Sequence, residues 1–361
     1  MRKVPFLALL ALVSGVSLRA DPATPDRLSR YFGGWFAVCP GTRVSVTAAP
    51  DIAISGYEAY RVERTCDLKN RNELSIALVD SVRDEVFVGE LLYSAQRHDQ
   101  PFAPAADLPV IQGALQDTYG LPVALRVGTE RRGSLIPIRV TIREAPDASA
   151  SLSGFVSQDG AALLLGEFHP LGVAPEQWRE RVLSESRGVS PGQGAFAVTA
   201  FIDFQCEKCR QRTPQVRDFV RKQGGSLEIR FLPLVKVHDW AFAAAESAAA
   251  LSSVSPALYT RYEESIFPRA GAMTEKAARE LAVDVADAAG VREGFDAEIA
   301  SGRARERVMR DVELALRLGL NSTPVFFYRG AFLVSDPNVA ETYIRSRLGA
   351  SEKSSAPSPP R

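Results

Sequence analysis

"FIDFQCEKCRQRTP", residues 201–214, decides how this chain folds. The apolar run "AFAVTAFIDF" has strand length and ends at Phe204. Cys206 then stands where the chain turns into a helix carrying Val216, Phe219 and Val220 on one face. Two cysteines spaced by two residues at a strand-to-helix junction admit three readings: a redox pair, half of a metal site, or a loop staple. The filling, Glu207 and Lys208, is a charged pair, and this sharpens the choice.

Disulfide exchange runs through a thiolate, so a redox site must lower one cysteine pKa. The unpaired N–H groups and dipole of a helix N-terminus favour negative charge at Cys206. Cys209, one turn further, falls on the same side within bridging reach but better shielded. A mixed disulfide on Cys206 can therefore be resolved by Cys209. A tetrahedral metal site needs four ligands. The remaining cysteines, Cys39 and Cys66, form no second CxxC, and His98, His169 and His238 stand at no metal-site spacing from a cysteine. No metal and no cofactor are expected.

Outward from the motif, 361 residues exceed one ordinary domain and point to two. The formal net charge is zero, with no stripe of interleaved basic and aromatic residues, which argues against nucleic acid as a partner. Residues 1–20, "MRKVPFLALLALVSGVSLRA", read as a signal peptide: Arg2 and Lys3, a short apolar run, then small residues at Ser17 and Ala20. The run is too short to span a bilayer. A periplasmic or secreted protein follows, and export changes how cysteine is read, because disulfides persist outside the cytosol. A structural disulfide between Cys39 and Cys66 is the reading for the first pair.

Residues 21–170 alternate as strands do, in "YEAYRVER", "LSIALVD", "EVFVGELLY", "IPIRVTI", "SLSGFVS" and "AALLLGEF". Asp159-Gly160 favours a hairpin between the last two. One helix is predicted over "DLPVIQGALQDTYG", capped by Asp107 and ended by Gly120. This is an α+β domain with an antiparallel sheet. A linker helix spans 171–192, and a second domain spans 193–349. The latter runs strand, helix, strand, then a helical block over 238–318, two strands around Arg329-Gly330, and a closing helix. The Pro/Ser-rich tail, 350–361, reads as disordered. Trp35, Trp178 and Trp240 are core or interface residues, and the Ala-rich "AFAAAESAAA" is close helix packing.

"FIDFQCEKCRQRTP", "FLPLVKVHDWAFAAAESA" and "LGLNSTPVFFYRG" resemble the three signature segments of the DsbA-like thioredoxin family of bacterial envelope proteins. The resemblance covers roughly residues 195 to 348. It implies an α/β thioredoxin fold with an inserted helical domain, and thiol–disulfide oxidoreductase activity on cysteine-containing protein substrates, served by a redox partner protein. It also implies a cis peptide bond before Pro324, with Thr323 backbone groups pairing to an extended substrate peptide. The stretch "GFVSQDGAALLLGEFHPLGVAPEQWRERV" resembles the linker-proximal hairpin of two-domain members, including the DsbC-like isomerases. Some of those relatives dimerise through the extra domain, so a homodimer through residues 21–170 stays open.

Two features depart from the family pattern. Many relatives carry a buried carboxylate six residues before the first cysteine; here the residue is Ala200. Beside the thiolate, Glu207 raises the pKa and Lys208 lowers it. Partial cancellation between these exposed, redox-tuning neighbours predicts a Cys206 pKa near that of free cysteine, and a mild oxidant. Asp203 reads as a strand-end polar group and His238 as a structural or capping residue. The sequence leaves two functions open: a thiol–disulfide oxidoreductase, oxidase or isomerase, or a non-catalytic peptide-binding module with a static Cys206–Cys209 disulfide.

Overall fold

The computed structural model describes residues 24–68, 73–93, 101–145, 148–190, 192–333 and 336–354. The expected signal peptide, His98 and residues 355–361 lie outside them.

The first domain opens with helix α1 (Thr24–Trp35) and strands β1 (Arg43–Ala48), β2 (Glu58–Thr65), β3 (Glu73–Asp80) and β4 (Glu85–Tyr93). Helix α2 (Pro104–Tyr119) and strands β5 (Val123–Val127), β6 (Leu135–Ala145), β7 (Ala148–Ser157) and β8 (Ala162–Pro170) complete it. The eight strands make one sheet, ordered β1-β2-β3-β4-β8-β7-β6-β5, with every pairing antiparallel. Alternation explains its two cores. Val62, Ala77, Val79, Val86 and Val88 face Leu28, Tyr31 and Phe32 of α1. Leu78 and Phe87 point the other way, onto Ile54, Leu135 and Leu164. The middle of the sheet is therefore buried on both sides. Gly89 and Gly166 face each other across β4 and β8 at φ +149 and +148, where a Cβ on either would sit 2.2 Å from the other strand's backbone.

Three local readings need correction. The helix predicted from Asp107 starts at Pro104 instead; Asp107 lies inside the first turn and accepts the Ala103 N–H at 2.8 Å. Pro104 supplies the preset φ for a helix start, so the carboxylate reaches back rather than capping from outside. Strands β1 and β5 and helix α1 have no counterpart in the sequence reading: β1 is short and mostly exposed. The closing helix runs on to Ser354, into the stretch expected to be disordered from residue 350.

Helix α3 (Pro175–Ser184) leads into the second domain: β9 (Ala197–Ile202), α4 (Glu207–Lys222) and β10 (Ser226–Phe231). The inserted block is α5 (Ala241–Val254), α6 (Pro256–Ile266), a 3₁₀ turn (Phe267–Ala272), α7 (Glu275–Ala288), α8 (Arg292–Ala300) and α9 (Arg303–Arg317). Strands β11 (Val325–Tyr328) and β12 (Ala331–Leu333) and helix α10 (Pro337–Ser354) close the fold. The sheet order is β10-β9-β11-β12, with only the β9–β10 pair parallel. Alanines let neighbouring helices approach α5 on all sides, and Glu246, buried there, is held by Arg279 at 2.8 Å and Arg305 at 2.9 Å. Among the described residues no helix is long and apolar enough to cross a membrane.

The domains interlock. Val38 bridges to Leu333 on one edge of the four-stranded sheet, and Val189 to Ile229 on the other, so both edges are covered. Arg179 of α3, 1 % exposed, donates to the carbonyls of Gly330 (2.6 Å), Gly34 (2.8 Å) and Trp35. His169 stacks on Trp178 at 3.9 Å and hydrogen-bonds the Tyr31 hydroxyl at 2.7 Å; burial pushes its imidazole down to about 3. Across the remaining seam, Ser151 N–H donates to Glu313 at 3.0 Å.

Candidate active site

Cys206 is the N-cap residue of α4, and its backbone N–H closes a turn onto Asp203 O at 3.2 Å. The strand therefore delivers the sulfur to a helix N-terminus. The two cysteines are unbonded thiols, both buried. Cys209 is fully buried, its Sγ accepting the Asp203 N–H at 3.4 Å. Cys206 keeps a little exposure, and its thiol donates to Thr323 O at 3.4 Å. Thr323-Pro324 is cis, and the loop it forms lies against the sulfur.

These contacts split the two thiols. The Cys209 thiol, donating to Cys206, is the largest influence and lowers it; burial opposes. The Thr323 side chain and the Cys209 N–H lower it further, the Asp203 charge raises it, and the result is about 5. Cys209 goes the other way, pushed well above an ordinary thiol by burial and by the neighbouring thiolate.

The expectation of a Cys206 near the free-cysteine value is thereby overturned. Glu207 and Lys208 are exposed, Glu207 is tied to Gln211 at 3.0 Å, and neither is among the groups that set the Cys206 value. Their side chains leave the first turn into solvent, where charge is screened. The sulfur instead responds to groups packed on its protein side.

Asp203, read as a strand-end polar group, and His238, read as a structural or capping residue, form a hydrogen-bonded pair beside the cysteine loop. The Asp203 carboxylate is buried and accepts from Gln205 N–H (2.7 Å), Leu234 N–H (2.8 Å) and His238 Nδ1 (2.8 Å). His238 remains partly exposed, so the pair connects the cysteine loop to solvent. Gln205 ties the same loop to the start of the insertion through Asp239 at 3.0 Å and Trp240 N–H at 3.1 Å. Ala200 is a buried methyl on β9. The first domain borders the site: a side chain at Gly120, the end of α2, would meet the Lys236 stem at 3.1 Å, two residues before His238.

Cys39 and Cys66 are joined by a disulfide, with Cα atoms 6.0 Å apart, far from the thiol pair in sequence.

Residues 194–343, less than half of the chain, match the family model described as Thioredoxin. This part of the chain has a thioredoxin fold, with a helical insertion between β10 and β11 and a cis Thr323-Pro324 bond. Similar solved structures include the thiol-disulfide exchange protein α-DsbA2 of Wolbachia pipientis: 15 % identity, TM-score 0.40, covering 48 % of this chain and 98 % of that one. A Proteus mirabilis ScsC linker-deletion mutant has 14 % identity and TM-score 0.39, covering 49 % of this chain and 85 % of its own. Bacillus subtilis BdbD has 16 % identity and TM-score 0.36, covering 45 % of this chain and all of its own. A curated relative, the Na(+)/H(+) antiporter NhaA 3 of Salinispora tropica, is 24 % identical over 268 residues, 68 % of this chain. The chain spans 38 % of that relative's length.

Proposed function

We propose that the chain is an exported thiol–disulfide oxidoreductase that acts on protein cysteines, on the oxidase or isomerase side. The observation that carries this reading is the split thiol pair: a Cys206 that keeps a little exposure, with its thiol pulled down to about 5, beside a fully buried Cys209 pushed the other way. Cys206 attacks or is attacked, Cys209 resolves, and the Thr323-Pro324 loop offers backbone groups to an extended substrate peptide. A stabilised thiolate favours the dithiol form, which makes the disulfide form the better oxidant. The Cys39–Cys66 disulfide supports a site of action outside the cytosol. A redox partner protein recharges the pair, and a second copy would associate through the first domain, whose sheet has β1 and β5 as its outermost strands among the described residues.

Equilibration of the purified protein in glutathione buffers tests the reading. A Cys206–Cys209 potential above about −180 mV supports an oxidase or isomerase; one near or below about −270 mV supports a reductase. Retention of function by Cys206→Ser would instead favour a peptide-binding module with a static disulfide.

A further inference from the structure

The segment after α3 and helix α9 enclose a cleft of about 440 Å³, a size in the range of small-molecule sites, that shares no residue with the thiol site. Arg187 lines it from that segment, and Arg303, Arg307 and Arg310 line it from α9. The three α9 arginines recur at i, i+4 and i+7, so they share one face of the helix. Like charges at this spacing repel and destabilise a helix.

The cleft holds too little negative charge to offset them. Its two carboxylates are already engaged: Glu298 by Arg303 at 2.6 Å, and Asp311 by Arg230 at 3.1 Å and the Phe231 N–H at 3.0 Å. Arg310 meets Glu306 at 3.9 Å with both side chains exposed, a pairing that contributes little. Arg187 is exposed and has no ion pair among the described residues.

Arg307 lies at the centre of the row. It is half-buried, and it donates to Gly188 O at 3.2 Å and to the Ser252 and Ser253 hydroxyls at 3.4 and 3.5 Å. All three partners are neutral. Burial pulls its guanidinium below the ordinary arginine value; Asp311 and Glu228 oppose this, and the Arg230 and Arg310 charges add to it. A partly desolvated cation without a counter-ion is costly, and a bound anion would be that counter-ion.

The arrangement also selects among anions. A flat carboxylate matches one guanidinium fork, whereas a tetrahedral phosphate turns its oxygens toward several at once. Arginines from two elements converge here, which favours the tetrahedral group. Along α9 the row from Arg303 to Arg310 spans roughly 10 Å by the rise per residue, room for more than one such group.

We propose that this cleft binds a small soluble polyanion with linked phosphate groups, held by Arg187, Arg307 and Arg310. The inference goes beyond the oxidoreductase reading and does not depend on it. Such a ligand would tie the segment between the domains to the helical insertion, and its binding would stabilise the folded chain.

Inorganic diphosphate is the probe. Full-length protein is titrated with it in a calorimeter at constant ionic strength, with orthophosphate as the comparison. One site per chain is expected, with diphosphate bound at least about tenfold more tightly than orthophosphate. Arg307→Gln should weaken diphosphate binding about tenfold or more, as loss of a charged hydrogen-bond donor does. That variant also gives up the bond to Gly188 O and can loosen the fold. The double variant Arg187→Gln/Arg310→Gln changes two exposed side chains, keeps that bond, and decides; a similar loss is expected. Arg261→Gln, an exposed arginine on α6, should bind as the wild type does. No saturable binding, equal affinity for the two anions, unchanged affinity in the double variant, or an equal loss in Arg261→Gln would each overturn the site. The Cys206–Cys209 potential reads the thiol chemistry separately, so either reading can fail alone.

Discussion

Asp203 Oδ2 lies 2.8 Å from His238 Nδ1, 35 residues further along the chain, and its charge opposes the Cys206 thiolate from three residues away. Asp203→Asn removes that opposition while keeping most of the shape. The thiolate should become easier to form, so the Cys206 inflection, read as thiolate absorbance against pH, should drop by roughly one unit. The Cys206–Cys209 potential should become more positive in step. An unchanged or raised inflection would mean that the Asp203 charge does not reach the sulfur.

Selective alkylation follows from the split pair. With Cys206 at about 5 and Cys209 well above an ordinary thiol, iodoacetamide at pH 7 should label Cys206 alone. Its rate should stay level from about pH 6.5 to 8 and halve near 5, as the thiolate fraction does. Labelling of Cys209 first, or a rate climbing tenfold per unit through pH 7, contradicts the geometry.

The same shift makes reduced-state stability depend on pH. A thiol whose folded pKa lies below its unfolded value contributes stability that is fully present above the unfolded value, near 9. It is lost as pH falls through the folded value, near 5. Between those limits the reduced protein should gain in melting temperature relative to the oxidised protein as pH rises. Parallel melting curves for the two forms would rule this out.

Cys39–Cys66 encloses a sequence separation of 27, and cross-linking a loop of that size restricts the unfolded chain by about 3–4 kcal/mol. A Cys39→Ala/Cys66→Ala variant should lose about that much in urea unfolding while keeping the Cys206–Cys209 potential. A change in that potential would tie the two cysteine pairs together.

Arg179 is the clamp between domains. Arg179→Met removes the donor from three buried carbonyls, at Gly330, Gly34 and Trp35, and should cost about 2–4 kcal/mol. Urea unfolding followed by tryptophan fluorescence would report it, since Trp35 lies against the guanidinium, 4.8 Å from ring centroid to charge. A loss below about 0.5 kcal/mol would show that the domains hold together without it.

Much of the second domain was legible from local pattern. The apolar run ending at Phe204, the cysteine spacing, the Ala-rich helix and the Arg329-Gly330 hairpin each depend on residues near in sequence, and each appears at its predicted place. In the first domain, alternation found β2 to β4 and β6 to β8 but not the short, exposed β1, nor the order that sets β4 beside β8.

The sequence by itself determined the strand-to-helix junction, the pair Cys206 and Cys209, and the Thr323-Pro324 segment, because covalent spacing and periodicity carry that information. Only the tertiary structure decided how acidic Cys206 is. The neighbours that set it, Cys209 across the turn, Thr323 from a distant loop and Asp203 held by His238, act over a few ångströms. The adjacent Glu207 and Lys208 drop out because their charges sit in water. The same holds for Arg187 and Arg307, brought to one cleft because α9 packs over the segment that follows α3.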